Sequence, residues 1–480
     1  MQSVALKPES QLLFVVDLDD SLIKTDLILE KLITLALRSP ASLCLIPLMM
    51  LKGRLAFKKW LASKTEIDFT SLPYRKDILD KVREAKKRQE KVILLSASLQ
   101  EDVDRVVQHL KIFDSGVGSS SENLVGSAKL KYLNENYPGS RVTYVGDSFV
   151  DLKIWKECEK IIAVNPSARL AKELQSINKP TELVIDRKNQ IKLVIRQLRI
   201  YQWCKNILVF LPAFAAHRFL EPAMWINSTR AFFSFSFLAS AVYVFNDICD
   251  LRHDRQQPSK QNRPLASGAL SLQTAIGLIP ACLSLSFICG WGLPTELLFV
   301  LGIYTVMNFI YSFWVKELLA IDVIFLAVFY TLRIFAGGAA TSVPVSEWLL
   351  SFSVFFFFGM AMVKRFSELR NQSPSSLSPK LGRRAYEPQD AMAVLVTGAS
   401  TSILSILILA LYLSTGEVKR LYQHPNRLWF VTPCILFWLN RIWILGSRGQ
   451  VTEDPLVFAL KDKVTWWVAI GIVLVVLSAI

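Results

Sequence analysis

The chain has 480 residues, of which 52% are apolar and 20% charged, and its formal net charge is +15. That length accommodates two or more domains, and the apolar excess points away from a wholly soluble protein to one integral to a membrane, at least in part. In such a protein lysines and arginines collect in cytoplasmic loops, so the positive charge argues against nucleic acid as a partner. Seven cysteines, at 44, 158, 204, 249, 282, 289 and 434, form no CxxC pair and imply neither a disulfide framework nor a zinc site.

Charge is uneven along the chain. Residues 1–190 are rich in Lys, Arg, Asp and Glu, whereas long apolar runs recur through residues 191–480. This shift predicts two domains, 1–190 and 191–480. The run "LLFVV" (12–16) is too short for a signal-peptide core, which predicts a cytoplasmic N-terminus. "LLFVVDLDD" (12–20) reads as a buried strand ending in acid, "KVILLSAS" (91–98) as one ending in hydroxyls, and "RVTYVGDSFVDL" (141–152) as a third ending in acid. Helical stretches at 74–90 and 99–111 lie between them. The alternation predicts a doubly wound α/β domain whose site lies at the carboxyl ends of the strands. The apolar run after Asp20 is broken by Arg38, Pro40 and Pro47. A membrane crossing there would separate Asp17 from Asp147, so the run predicts a helical cap. Its apolar face would rest on the bilayer or on the second domain.

The order DxDxS, Ser, Lys, GDxxxD over about residues 10–185 resembles the haloacid dehalogenase (HAD) phosphohydrolase superfamily. The resemblance implies Asp17 as nucleophile, Asp19 as general acid and base, Ser96 as a phosphate-binding hydroxyl and Lys129 as a neutralising cation. It implies Mg²⁺ held by Asp147 and Asp151, with Asp17 and Asp19 completing the metal site. In that chemistry the nucleophile forms an aspartyl-phosphate, which a water activated by Asp19 hydrolyses. Two positions depart from the pattern: Asp20 stands where Gly is commoner, and Val125 where a second Lys is often seen. A degenerate domain kept as scaffold is the competing reading.

In the second half, spans of membrane length are read near 203–220, 228–248, 270–290, 295–313, 320–340, 347–363, 391–414, 428–446 and 464–480, nine in all. With the N-terminus inside, the loops near 249–269, 314–319, 364–390 and 447–463 face the cytoplasm. They carry most of the basic residues of this half, including Lys364, Arg365, Arg370, Lys380, Arg383 and Arg384. The opposite loops near 291–294 and 341–346 carry none, and the loop near 415–427 is an exception with Lys419, Arg420 and Arg427. The balance predicts an N-inside, C-outside, multi-pass protein of the inner membrane.

At the cytoplasmic mouth of the second span stands "VYVFNDICDLRHDRQQPSKQNRPLASG" (242–268). Asp247, Asp250 and Asp254 are three and four apart, on one face if the helix continues. Clustered carboxylates repel and are costly to desolvate unless a cation joins them. Mg²⁺ suits such a site, because it takes one or two carboxylates, several waters and substrate phosphates. Arg252, Arg255, Lys260 and Arg263 would serve the diphosphate it carries. A solvated loop at a helix end is the plainer alternative.

"NDICDLRHD" resembles the NDxxDxxxD signature of the UbiA superfamily of intramembrane prenyltransferases, and the resemblance covers roughly residues 190–480. It implies nine helices and a diphosphate bound through Mg²⁺. "YQWCKNILVFLPAFAAHRF", "PSKQNRPLASG", "YSFWVKELLAIDVIFLAVFYTLRIFAGGAA" and "EDPLVFALKD" are similar to the decaprenyl-phosphate phosphoribosyltransferase branch. That branch transfers phosphoribose from 5-phosphoribosyl 1-diphosphate to polyprenyl phosphate. Aromatic prenyltransferases usually carry a second aspartate-rich motif. Here that region shows Tyr311, Lys316, a lone Asp322 as a further metal candidate, and Arg333.

The chemistry matches these residue types. Breaking the anomeric C1–O bond creates an oxocarbenium-like sugar, and diphosphate leaves well only if its charge is neutralised. Mg²⁺ with Asp247, Asp250 and Asp254 would do this. Lys205, Lys260, Arg263, Lys316, Arg333, Lys364 and Arg365 are candidates for binding the ribose 5-phosphate and the lipid phosphate, although such chains also snorkel to the interface. Asn206 and Asn246 could offer oxygen ligands or cap helix ends. The expectation is a bifunctional enzyme whose membrane half makes phosphoribosyl polyprenyl phosphate, and whose HAD-like half removes the 5-phosphate on the same cytoplasmic face. The alternative is a prenyltransferase alkylating an aromatic acceptor, with the N-terminal domain as scaffold or acting on another phosphate. A non-catalytic lipid-phosphate carrier is a third class, disfavoured by two complete acidic motifs.

Overall fold

Among the described residues six strands form: β1 Leu12–Val16, β2 Lys91–Leu99, β3 Ser115–Ser119, β4 Arg141–Gly146, β5 Lys160–Val164 and β6 Thr181–Val184, all but the serine- and glycine-rich β3 carried by aliphatic and β-branched residues. They pair in parallel in the order β3-β2-β1-β4-β5-β6. Successive side chains of a strand point to opposite faces, and both faces are covered, as parallel sheets require. Phe14, Val16, Val92, Leu94 and Val145 pack on one side with Ile78, Val82, Val103 and Val106. Leu13, Val15, Ile93, Leu95 and Tyr144 pack on the other with Leu133, Trp155, Leu170 and Leu174. The chain order reverses at β1, which has β2 on one side and β4 on the other. This is the switch point where ligands bind in such sheets.

The computed structural model describes residues 11–186, 189–218, 221–370, 385–451 and 454–480; Lys380, Arg383 and Arg384 lie outside the described residues. The chain divides into two compact units, Met1–Leu198 with Tyr243–Leu278, and Arg199–Val242 with Ile279–Ile480. The sequence suggested one cut near 190. In the structure the segment bearing the acidic motif belongs to the first unit. Its basis is visible in buried charge: Arg255 Nη2 donates to Glu30 Oε1 at 2.6 Å, with both side chains almost fully buried. Gln256 Nε2 adds a bond to Asp68 Oδ2 at 2.9 Å.

The expected cap is helical. It comprises α1 (Leu27–Arg38), a broken apolar stretch Pro40–Leu51, and α2 (Arg54–Lys64). Asp26 starts α1 by accepting the Leu29 N–H at 3.0 Å. Leu35, Phe57 and Leu61 give the cap a small core of its own. Between the helices Leu43, Leu45, Leu48, Met50 and Leu51 are exposed.

Among the described residues seven helices are long and apolar enough to cross a membrane: Pro222–Cys249 (α5), Leu272–Gly290, Thr295–Phe313, Ile321–Thr341 (α7), Glu347–Arg370 (α8), Pro388–Leu413 and Pro425–Ser447. The pair Pro455–Lys461 (α9) and Lys463–Ala479, bent by 87°, makes an eighth if taken as one span. Nine spans were expected. The first of them, near 203–220, contains a 3₁₀ segment Ile200–Phe210 and a five-residue helix Leu211–Ala215. Its composition is apolar, but Lys205 and Asn206 are buried and must be satisfied by neighbours. Asn206 Nδ2 donates to Ser236 Oγ at 2.8 Å, and Trp203 Nε1 to Ser240 Oγ at 3.0 Å. The short segment lies against α7 at Gly337, where a Cβ would stand 2.0 Å from the Val209 carbonyl oxygen.

Gly337→Ala should therefore destabilise the protein by about 2–3 kcal/mol, because the atom it strikes is backbone and cannot swing aside. Gly302, with nothing within 4 Å of its Cβ position, is the control. The unfolding midpoint of the detergent-solubilised chain should fall for the first variant and hold for the Gly302→Ala variant.

Candidate active sites

Parallel pairing of Val16 with Leu94 and with Val145 brings the ends of β1, β2 and β4 side by side. The Asp17 N–H donates to Val145 O at 3.0 Å. Its Oδ1 accepts from the Leu18 N–H at 2.8 Å, and its Oδ2 lies 2.7 Å from Lys129 Nζ. Lys129 comes from the first turn of Ser127–Asn136 and is 3% exposed. Lys129 also donates to Tyr144 Oη at 3.2 Å, and Tyr144 donates to Asp151 Oδ1 at 3.0 Å. Asp151 Oδ2 accepts from the N–H groups of Asp147 and Ser148, each at 3.2 Å.

Asp17, Asp147 and Asp151 each present one oxygen within 4.8 Å of the others. Hard oxygen donors at this spacing suit Mg²⁺. The electrostatics agree: burial first, then the charges of Asp17 and Asp151, push Asp147 up to about 8. Burial raises Asp17 as well, in spite of Lys129. Carboxylates in this condition are stabilised by a bound cation. Burial also opposes the charge of Lys129, but Asp17 and Asp151 outweigh it and hold its pKa above the ordinary value.

Asp19, expected both as acid–base and as a metal ligand, is not in that group of three. Its Oδ1 accepts from the Leu27 N–H at 2.9 Å and its Oδ2 from Ser98 Oγ at 2.7 Å. Burial, then Asp26, pushes it up to about 7, the range useful to a group that gives and takes a proton. Asp20 has φ +52°, a left-handed conformation that Gly adopts freely and Asp tolerates. Ser96 is fully buried and accepts the Ser98 N–H at 3.0 Å. Two hydroxyls of one strand face share this edge, and Ser98, not singled out from sequence, is the one on Asp19. Lys58 of α2 was missed too: its Nζ donates to Ala97 O at 2.6 Å and to Asn123 Oδ1 at 2.8 Å.

The acidic motif forms a second centre of the same unit. α5 ends at Cys249, and Asp250 caps the short helix α6 (Leu251–Gln256) with φ −94° and ψ 8°. The helix therefore breaks inside the motif, although Asp250 N–H still bonds Asn246 O at 2.9 Å and Asp254 N–H bonds Asp250 O at 2.8 Å. Asp247 and Asp254 are buried and Asp250 is half-buried. Arg263 folds back on them, its Nη1 donating to Asp247 Oδ1 at 3.2 Å and to Asp254 Oδ2. Lys260 Nζ lies 3.6 Å from Asp254 Oδ1, and Gln197 Nε2 donates to Asp247 Oδ2 at 2.8 Å. Among the described residues the three aspartates do not gather into a metal-ligand group, and one guanidinium nitrogen of Arg263 joins two of them.

In the second unit Lys205, Lys364 and Asp454 come together: Lys205 Nζ is 2.7 Å and Lys364 Nζ 3.7 Å from Asp454 Oδ2. Tyr330 Oη donates to the same carboxylate at 3.2 Å, and Lys205 lies 5.5 Å above the Tyr330 ring. Arg333 Nε donates to Asn206 Oδ1 at 2.7 Å, and its guanidinium packs over Tyr330 at 5.4 Å. Two cations thus share one carboxylate, and Arg333 stands over the ring of Tyr330, whose hydroxyl bonds the same carboxylate. Asp454 was not singled out from sequence; its place in "EDPLVFALKD", capping α9, was the available signal. Lys316 lies on the 3₁₀ turn Val315–Glu317 and is half-buried. Asp322 and Arg365 require a correction. Arg365 Nε and Nη2 reach Asp322 Oδ2 at 2.8 and 2.7 Å, and Tyr386 Oη donates to Oδ1 at 3.0 Å, all fully buried or nearly so. The expected metal ligand and the expected phosphate binder neutralise each other.

Gly146→Ala tests the three-carboxylate cluster. A Cβ there would lie 2.6 Å from Asp151 Oδ2 and 2.9 Å from Tyr144 Cε1, so Asp151 must move. The affinity for Mg²⁺, read from metal titration of the N-terminal unfolding transition of the full chain, should fall about tenfold or more.

Residues 207–458 match the model of the UbiA prenyltransferase family. An uncharacterized protein of Sinorhizobium fredii is 32% identical over 465 residues, 96% of this chain and 89% of that one. The decaprenyl-phosphate phosphoribosyltransferase of Corynebacterium glutamicum is 30% identical over 305 residues, 61% of this chain and 88% of that one. The structure of a UbiA homolog from Archaeoglobus fulgidus bound to DMAPP and Mg²⁺ covers 59% of this chain and 98% of its own, at 16% identity and a TM-score of 0.45.

Proposed function

We propose that this chain, which belongs to the UbiA prenyltransferase family, transfers 5-phosphoribose from phosphoribosyl diphosphate to a polyprenyl phosphate. One observation carries the reading: Asp322 is neutralised by Arg365, while Lys205, Arg333 and Lys364 outnumber Asp454. A second acidic metal motif, usual for aromatic acceptors, is therefore missing where excess positive charge stands. That charge fits a donor and an acceptor that both carry phosphate. The relatedness to a decaprenyl-phosphate phosphoribosyltransferase supports the same reading.

In the proposed reaction the anomeric C1–O bond breaks, diphosphate departs, and an oxygen of the lipid phosphate forms the new bond to C1. The acceptor is already an anion, so no strong base is needed. Asp247 and Asp250, with Asp254 behind them, are the residues that would hold Mg²⁺. When bound, Mg²⁺ neutralises the charge of the leaving diphosphate. Lys260 and Arg263 serve the phosphates beside the acidic motif. Lys205, Arg333 and Lys364 bind and orient the remaining phosphate groups.

At the N-terminal centre Asp17 attacks the phosphorus of a monoester, and the ester P–O bond breaks as an aspartyl-phosphate forms. Asp19 gives its proton to the leaving oxygen, then takes one from the water that hydrolyses the intermediate. Lys129 offsets charge on the phosphoryl oxygens. Asp17, Asp147 and Asp151 would hold Mg²⁺ here. The substrate we assign is the 5-phosphate of the lipid product, so that both steps occur on the cytoplasmic face of the inner membrane. The exposed apolar stretch from Leu43 to Leu51 suits a domain working at a lipid surface.

The deciding experiment incubates purified protein with Mg²⁺, polyprenyl phosphate and labelled phosphoribosyl diphosphate, or labelled prenyl diphosphate with an aromatic acceptor. A lipid product bearing the phosphoribosyl label is expected; label transfer only from prenyl diphosphate would favour the aromatic reading. Asp250→Asn should cut transfer about a hundredfold at limiting Mg²⁺ while leaving hydrolysis of added phosphorylated lipid intact. Asp17→Asn should do the reverse, and the lipid it makes should retain one phosphate more than the wild-type product by mass.

A further inference from the structure

The short helix α6, which carries Asp254, has a second face. Residues three and four apart lie side by side on a helix, so Arg252, Arg255 and Gln256 share the face turned away from Asp254. All three meet the N-terminal domain. Arg252 Nε lies 3.7 Å from Asp68 Oδ2, Gln256 Nε2 donates to the same oxygen at 2.9 Å, and Arg255 pairs with Glu30 of α1.

The last of these contacts is the buried one. Glu30 uses both oxygens: Oε1 accepts from Arg255 Nη2 at 2.6 Å and Oε2 from Nη1 at 3.2 Å. Two such bonds fix the plane of a guanidinium as well as its position. Thr25 Oγ1 donates to Glu30 Oε1 at 2.7 Å and holds the carboxylate from its other side. Arg255 Nε then donates to Ala266 O at 3.3 Å. One side chain thereby ties together α1, α6 and the loop that bears Arg263. Two residues beyond Ala266, Gly268 has φ +66°, and a Cβ there would stand 2.5 Å from Lys24 Cβ and 3.1 Å from Lys24 O, so the loop is seated on the N-terminal domain a second time. Asp254 adjoins Arg255, and Arg263 lies three residues before Ala266. These two partners of the acidic motif are therefore both set from the N-terminal domain.

Resting on the assignment of Mg²⁺ and diphosphate to the acidic motif, we propose that Glu30 is a positioning residue of the transferase. Acting through Arg255, it sets where Asp254 and Arg263 stand when the ion and the diphosphate bind. Glu30 itself touches neither. The N-terminal domain then serves transfer by its structure, whatever phosphate it hydrolyses.

The test measures binding of methylenediphosphonate, a diphosphate that resists hydrolysis, to the full-length solubilised protein in Mg²⁺ by titration calorimetry, beside the transfer reaction. Asp250→Asn supplies the blank for the acidic motif. Glu30→Gln keeps the shape and removes the charge; it should weaken probe binding about tenfold and raise the Mg²⁺ needed for half-maximal transfer by a similar factor, the usual effect of losing an outer partner of a metal site. Arg255→Gln should do the same. The double variant should lose no more than either single one, because the two residues act as a unit. Asp102→Asn is the control for stability: it breaks another buried ion pair of α1, that of Lys31 at 2.6 Å, and leaves Glu30 intact. Its unfolding midpoint should fall while its affinity for the probe holds. Equal losses of affinity in Asp102→Asn and Glu30→Gln would overturn the proposal by reducing Glu30 to general stability. Additive losses in the double variant would overturn it by separating Glu30 from Arg255, and unchanged affinity in Glu30→Gln would overturn it outright. Probe binding that Asp250→Asn does not weaken removes the acidic motif as the diphosphate site, and this role of Glu30 with it. Wild type that binds the probe there but transfers no phosphoribose overturns the donor assigned above and leaves the role of Glu30 standing.

Discussion

A buried charge needs a counter-charge, and the ion pair between Lys129 and Asp17 at 2.7 Å meets that requirement where it is most acute. Four carboxylates, those of Asp17, Asp19, Asp147 and Asp151, crowd the ends of two neighbouring strands, whose parallel register gives them no freedom to separate. Lys129 neutralises Asp17, while the Tyr144 hydroxyl and the N–H groups of Asp147 and Ser148 together satisfy Asp151. The remaining excess of negative charge is what a divalent cation removes. Asp19 stands apart from this cluster of three, bonded instead to the Leu27 N–H and the Ser98 hydroxyl.

The same constraint, met differently, distinguishes the other charged groups. Asp322 and Arg365 pair in a packed interior, with Glu368 on the same guanidinium at 2.8 Å, which makes them part of the framework. Lys205 and Lys364 share Asp454, and Arg333 meets an amide, a backbone carbonyl and aromatic faces. In the acidic motif Arg263 joins Asp247 to Asp254.

Much of this was legible in the sequence wherever a local pattern carries the information. Apolar runs that end in acid or hydroxyls marked β1, β2 and β4 with their polar tips, whereas β3, β5 and β6, each of five residues or fewer, went unread. The acidic motif beside a long apolar run was equally plain. What escaped depended on partners distant in sequence. Asp322 and Arg365 stand 43 positions apart, and Tyr330 and Asp454 124 apart, so no spacing rule joins them. Ser96 and Ser98 share one strand face, and only the cap decides which reaches Asp19. The stretch at 203–220 has the hydropathy of a span, but the 3₁₀ turns that bury Lys205 and Asn206 are set by neighbouring helices.

The pairing of Glu30 with Arg255 bears on how such a protein could have arisen and how it can be dissected. A gene fusion joined by a loose linker can be cut at the linker, and each product keeps its own interior. Here a cut near residue 190 would run through a folded body: the downstream fragment would carry Arg255 without Glu30, the upstream fragment the reverse. Leaving one member of a buried ion pair behind costs about 3–5 kcal/mol, a large part of the stability of an ordinary domain. Shuffling either fragment into a new partner would therefore require that this pair be replaced first.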